Sequence, residues 1–470
     1  MRILLPTGAA TEEIVRRAAT GFDAEVVVTG SVASFLTPHA LRVLLSHGTY
    51  DLVLVSGMCT ASFQEVERET GVPVYRGPRH AADLALVLPL LGSVTLSRTV
   101  PADAFLAAQR AEDAMRRVDE REEAAGAALF IRGLKVGGGS RMKVLAECMD
   151  AHRHEDIRAQ VEQFFASGAD IVDLGFGFDA TPADVARVFH LLEGIDRPLA
   201  VDTQVPELIR AALPRADLVL SLTERNCPDV GKEIAEAGVA VVVVPGERSL
   251  RENLAMARRA GIRCIIADPL LVPVGSGLVS SLKRFTPTGY PLFFGAGNVI
   301  ELLDADSAGA TALLAGMAHE LGASIIFTSE HSDKTRGAVR EMRRATEMMV
   351  LAADRPYPKD LGIDLFVIKE KRRRREPPLE YETVTAAREM PDEITYDPKG
   401  NFRIGIEGDR IVAVIHGHAV KGTRWQDVLH TILSQGNVTL LDHAGYLGRE
   451  LYKAELAIRF GRSFEQDGEF

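Results

Sequence analysis

Cysteine is scarce: the chain has four in 470 residues, Cys59, Cys148, Cys227 and Cys264, and no two form a CxxC pair. That spacing excludes a disulfide framework and a structural zinc site, so reduced thiols in the cytoplasm are the expectation. Long apolar runs are absent too. No stretch approaches the roughly 20 residues of a membrane span. The start, MRILLPTGAATEE, lacks the apolar core of a secretion signal. Positive charge is in deficit, with a formal net charge of −11. A general nucleic-acid binder is excluded on that ground, although a local basic pocket for an anion is compatible with it. GxGxxG and P-loop motifs are missing as well.

What is present is an ordinary soluble composition, 46% hydrophobic and 25% charged, in a chain long enough for two or three domains. Residues 143 to 328 alternate eight short apolar runs with helical stretches. The runs are KVLAEC, DIVDLG, PLAVDT, DLVLSL, VAVVVV, RCIIAD, PLFFGA and SIIFTS. Eight such βα units predict an α/β fold built on a closed (βα)8 TIM barrel. The barrel domain spans 126–353, with a hairpin in ALFIRGLKVGGGSRM before the first strand. Gly137, Gly138 and Gly139 there read as a flexible turn rather than a phosphate loop, because no strand-then-helix context surrounds them.

Before the barrel, residues 1–125 read as an α/β domain with a parallel sheet. RILLP, AEVVVTG and DLVLVSG are its strands, and Thr37 is an N-cap. Thr7, Gly8, Gly30, Ser31, Ser56 and Gly57 fall at strand C-termini, where open α/β sheets bind ligands; tight turns are the alternative. GPRHAADLA resembles a turn into a helix, with Arg79 and His80 available to an anion. After the barrel, a linker over 354–391 carries KEKRRRRE, which reads as a solvated connector. Residues 392–470 form a small α+β domain. It has a hairpin around Gly408-Asp409 and two helices, the second capped by Asp442 with Leu447, Leu451 and Ala454 on one face. At that size it should pack on the barrel or on another subunit.

In such barrels chemistry gathers at the C-terminal ends of the strands. Here those ends carry Glu147, Asp150, Asp173, Asp202, Asn226, Asp268, Asn298 and His331. Asp202 can accept hydrogen bonds from the N–H groups of a nitrogen-rich ring, Asn226 offers a donor and an acceptor, and Asp268 adds another acceptor. Each could instead cap the helix that follows. Glu147 and Asp150 are oxygen ligands suited to Mg²⁺, or acids favoured by a helix dipole. In TSEHSDKTRG, the residues His331, Ser332, Lys334 and Arg336 meet a helix start placed at Thr335. With Asn298 they form an expected anion site. Cys148 and Cys227 are nucleophiles by position only, and buried inert thiols are the plainer reading.

SGADIVDLGFG, then RPLAVDT, an Asn-bearing strand end and ADPLL resemble the pterin-binding barrel of dihydropteroate synthase and the pterin-dependent methyltransferases. The ending DPKGNFRIGI…DHAGYLGRELYKAELA is similar to dihydropteroate synthase-like proteins of methanogens and methylotrophs. The resemblance implies that Asp173, Asp202, Asn226 and Asp268 hold a pterin. It implies that Glu147 stands where synthases carry a metal-binding asparagine, and that His331 and Lys334 assist catalysis. It departs at Ser329, where the family has the arginine of a closing Arg-x-His. It departs again at ADPLLVPVGSG and GAGNVIE, which replace a lysine-bearing loop and a Ser-Arg-Lys segment. The resemblance implies a transferase joining a pterin methyl carbon to an arylamine, with a phosphorylated arylamine as a candidate partner, in tetrahydromethanopterin-type cofactor synthesis or one-carbon metabolism. Pterin-dependent methyl transfer and non-catalytic pterin binding are the alternatives. A cytoplasmic homo-oligomer, with no nucleic-acid or membrane partner, is expected.

Overall fold

The computed structural model describes residues 1–79, 81–92, 94–353, 357–359, 361–368, 379, 381–389 and 395–468. The basic run KEKRRRRE and His80 lie outside them. The chain divides into two compact units, Met1–Phe366 and Val367–Phe470.

The first unit opens with a parallel sheet of β1 (Ile3–Thr7), β2 (Ala24–Val28), β3 (Leu52–Val55) and β4 (Val74–Arg76), in the order β2-β1-β3-β4. β1 and β3 are buried along their whole length, as their unbroken apolar sequences require of central strands. Thr37 caps the helix Pro38–Leu45 by accepting from the Ala40 amide. A 23-residue helix, Ala102–Ala124, then crosses to the barrel. The hydrophobic pattern did not announce it, because its buried stripe is thin: Ala114 and Val118 are among the few residues it buries fully.

The hairpin β5 (Leu129–Ile131) and β6 (Leu134–Val136) follows. The barrel comes next, with β7 (Lys143–Cys148), β8 (Ile171–Gly175), β9 (Leu199–Asp202) and β10 (Leu218–Leu222). It continues through β11 (Ala240–Val243), β12 (Ile265–Ala267), β13 (Leu292–Phe294) and β14 (Ala323–Ser329). All eight apolar runs are strands, and β14 pairs with β7 to close the cylinder. Alternate side chains fill it. Leu145, Ile171, Ala200, Val242 and Ile325 form one inner cluster, and Ile131 and Val136 of the hairpin join that cluster. The hairpin thus belongs to the barrel's own core.

The second unit holds an antiparallel sheet of β15 (Arg403–Glu407), β16 (Arg410–Ile415) and β17 (His418–Gly422), covered by the helices Trp425–Ser434 and Leu441–Phe460. Its hairpin turns at Gly408, with φ +60°. Leu447, Leu451 and Ala454 are fully buried in its own core. Asp442 does not cap the second helix; Leu440 holds that position. The amides of Thr439 and Leu440 are instead taken by Asp397, at 2.7 and 3.0 Å. A carboxylate distant in sequence thus fixes the approach to the helix, while no side chain caps its first turn.

Candidate functional site

Strand periodicity builds the barrel mouth. Glu147 is two residues beyond inward-facing Leu145, Asp173 two beyond Ile171, Asp202 two beyond Ala200, and Asp268 two beyond Ile266. The period of two therefore turns four carboxyl groups inward at the C-terminal rim. β7 and β8 set Glu147 beside Asp173, and β8 and β9 set Gly175 beside Asp202. Asp173 is fully buried, and neither of its carboxyl oxygens has a hydrogen-bond partner.

Such crowding must raise proton affinity. Burial, followed by the charges of Asp202 and Glu147, holds Asp173 well above the usual carboxylate range. Burial pushes Asp202 up to about 6. Glu147 rises to about 7, by burial and then by the charges of Asp202 and Glu301. Burial takes Asp268 to about 7 against the opposing Leu270 amide and Arg284. The thiols are quiet by the same physics. Burial drives Cys148 to about 12, helped by Asp173 and Glu147, and burial also raises Cys227.

Asn226 is buried at the same rim, but its amide is engaged. Its oxygen accepts from the Thr223 amide at 2.9 Å, and its nitrogen donates to the carbonyls of Ser221 and Gln204 at 3.0 and 3.2 Å. It ties the ends of β9 and β10 together. Asp268 likewise accepts from the Leu270 amide, at 2.8 Å. Glu147 and Asp150 part company. Glu147 joins the inner carboxyl layer, whereas Asp150 lies in the following turn, half exposed, 3.8 Å from the Arg153 guanidinium. Among the described residues no group of three or more His, Cys, Asp or Glu side chains is arranged to hold a metal. The magnesium expectation finds no ready-made ligand set.

The expected anion site is organised differently from its forecast. Thr335 ends a single 3-10 turn, Asp333–Thr335; the long helix begins at Ala338, after Gly337 at φ +88°. The donors of this turn already serve an anion of the chain's own, the carboxylate of Glu301. It accepts from Ser329 Oγ at 3.0 Å, the His331 amide at 2.9 Å, Ser332 Oγ at 2.6 Å and Thr335 Oγ1 at 2.6 Å. Burial would raise this acid, but Ser332, Thr335, the His331 amide and Ser329 together hold it at about 2. Glu301 arrives there because the helix Ala296–Glu301 lies tight on β14. A Cβ on Gly297 would come within 2.7 Å of the Phe327 ring and 3.1 Å of the Ser329 amide. Lys334 Nζ donates to the Leu303 carbonyl at 2.8 Å and lies 3.3 Å from Asp304. His331, Asn298 and Arg336 are exposed.

Two rim residues escaped the sequence reading. Glu301 ends GAGNVIE, and nothing local marks it. His152 sits two residues past Asp150, its side chain 7% exposed. Neither ring nitrogen has a hydrogen-bond partner, and Nε2 lies 3.5 Å from Asp179 Oδ2. A histidine so near a rim acid was the available signal.

Residues 396–467 match the family model described as PterinBD-DUF4346. Over 517 aligned residues the chain is 32% identical to uncharacterized protein MJ0107 of Methanocaldococcus jannaschii, covering 99% of this chain and 98% of that one. Dihydropteroate synthase of Thermus thermophilus is 20% identical with a TM-score of 0.37, over 44% of this chain and 91% of its own. Mycobacterium tuberculosis Rv1207 is 20% identical with a TM-score of 0.38, over 49% of this chain and 99% of its own. The closed cylinder of eight parallel strands, each followed by a helix, defines a TIM-barrel protein. Within that class, the chain belongs to the family of the Methanocaldococcus jannaschii protein MJ0107.

Proposed function

We propose that the barrel mouth binds a pterin and that the protein is a transferase acting at the carbon carried by the pterin ring. The observation that carries this reading is the layer of Glu147, Asp173, Asp202 and Asp268, with Asp173 buried and unpartnered. A pterin presents ring and amino N–H donors along one edge, and carboxyl oxygens are the acceptors suited to them. Such donors would relieve the orphaned oxygens of Asp173 and the crowding that raises its neighbours. Glu147 and Asp268, titrating near 7, could each keep a proton beside the ring at neutral pH. The description of the family model matching residues 396–467 points the same way.

The reaction implied by the resemblance is condensation with an arylamine, itself phosphorylated in tetrahydromethanopterin-type synthesis. An anionic leaving group departs from the pterin methyl carbon as the new C–N bond forms. His331, Lys334 and Arg336, with Ser332 and Asn298, would attend the anion. One observation favours the second reading, pterin-dependent methyl transfer: the carboxylate of Glu301 already takes the donors around Ser332 and opposes a further anion there. Methyl transfer releases no phosphate at this rim. Magnesium enters neither reading as a step.

Calorimetric titration with a reduced 6-substituted pterin tests the shared premise. Asp202→Ala should weaken binding by about 1–3 kcal/mol per N–H left unpaired, with the fold intact. Unchanged affinity would remove Asp202 from the site. Product formation from a pterin diphosphate and an arylamine then separates condensation from methyl transfer and from a carrier without chemistry.

A further inference from the structure

The barrel mouth does not account for a second cleft, in the N-terminal sheet. Its strand order β2-β1-β3-β4 sends the chain outward from β1 on one side and from β3 on the other. Successive loops therefore diverge between β1 and β3, and open α/β sheets bind ligands at such a switch point. Two glycines show the divergence. A Cβ on Gly8, after β1, would stand 2.6 Å from the Ser31 carbonyl, so this loop leans on the one after β2. A Cβ on Gly57, after β3, would stand 2.6 Å from the Gly77 carbonyl, so this loop leans the other way, on the one after β4.

The cleft left between them is a cavity of about 80 Å³. Its walls include Leu5, Leu54 and Leu84, while Thr7, Ser56 and Arg79 are among its polar lining. In a chain of net charge −11, this lining contains a guanidinium and no carboxylate among the described residues. Arg79 is held in place by Asp103, which accepts from both its amide and its Nη1 at 2.8 Å. That pairing uses one edge of a group with five N–H donors. Ser56 Oγ accepts from the Met58 amide at 3.2 Å, which leaves its hydroxyl proton available to a ligand as a donor.

We propose that this cleft is a second ligand site, separate from the barrel, for a small oxyanion on a short apolar body. Arg79 and Ser56 would take the oxyanion, a carboxylate or a phosphate, and the leucines would take the body. Inorganic phosphate, propyl phosphate, butyrate and 1-propanol are the probes, each titrated into the full chain with binding followed by ligand-observed NMR. At least one organic anion should bind, and propanol should not. Whichever of propyl phosphate and butyrate binds more tightly identifies the oxyanion. Arg79→Gln and Ser56→Ala should each weaken that anion several-fold, whereas Asp202→Ala should leave it unchanged. Ser56→Ala, which disturbs no ion pair, decides the matter if Arg79→Gln fails to fold. The proposal is overturned if neither organic anion binds. It is also overturned if Ser56→Ala leaves affinity unaltered, or if Asp202→Ala abolishes the signal, which would place the anion in the barrel. Inorganic phosphate binding without either organic anion would mean an adventitious ion only.

Discussion

Asp173 shows how much a single side chain can set. A carboxyl whose pKa rises on folding keeps its proton longer in the folded chain than in the unfolded one. Between about 4, the ordinary carboxyl value, and the values near 7 of Glu147 and Asp268, the folded chain binds more protons. Stability must therefore fall as pH rises across that window. We expect the urea midpoint to drop between pH 5 and pH 8 by the equivalent of on the order of 1–3 kcal/mol. Asp173→Asn removes one raised acid of the layer and can donate to its neighbours, so its midpoint should drop less. Parallel slopes for the two proteins would show that the layer is not what governs the pH response. The acids themselves were legible, since each lies in the C-terminal part of an apolar run whose period of two turns it inward. Asn226 was legible in position but not in its bonding, because a side-chain amide can serve a ligand or two loop carbonyls equally well. Glu301 was not legible: its partners Ser329 and Thr335 lie about 30 residues away, and only tertiary packing joins them.

Elements differ in how far local chemistry decides them. The glycines after β6 were expected to make a flexible turn. All three have positive φ, +69°, +66° and +90° at Gly137, Gly138 and Gly139, so the turn has a specific left-handed path. Space distinguishes them. A Cβ on Gly138 would lie 2.7 Å from the Ala127 amide nitrogen, against backbone that cannot yield, whereas one on Gly139 meets nothing within 4 Å. Both alanine variants incur left-handed strain of about 1–3 kcal/mol, but Gly138→Ala should be the more destabilising by at least about 1 kcal/mol. Equal denaturation midpoints for the two would mean that the backbone at Ala127 yields to the added methyl. The start of the last barrel helix shows the opposite case. Its apolar periodicity was plain, yet its boundary was placed at Thr335 because Gly337 was read through. A glycine at φ +88° breaks the helical path, and the helix begins beyond it.

At the scale of the whole molecule, the barrel was readable because each strand is buried on both faces and so writes itself as a continuous apolar run. Its closure is less visible, since it depends on polar groups beneath the strands. Asp170 stands just before β8 and accepts from Arg141 at 2.6 Å, from Arg343 of the last barrel helix at 3.1 Å, and from the Val144 amide of β7 at 2.8 Å. One carboxylate thus joins the first strand, the second and the final helix. Glu122 of the long crossing helix extends the network, accepting from Lys143 at 2.6 Å. Burial opposes ionisation of Asp170, but the charge and hydrogen bond of Arg141, then Arg343 and the Val144 amide, outweigh it and lower its pKa. Its contribution is therefore full above the unfolded carboxyl value of about 4 and is lost as pH falls through the depressed folded value. Asp170→Ala strands the buried Arg141 without its partner, which should cost about 3–5 kcal/mol at pH 7. The deficit should narrow in acid, where the parent protein loses the same interaction. Urea denaturation of both proteins at pH 7 and pH 3.5, followed by circular dichroism, measures this. A small deficit at pH 7 would show that closure rests on strand pairing between β14 and β7 alone, with the buried charges as passengers.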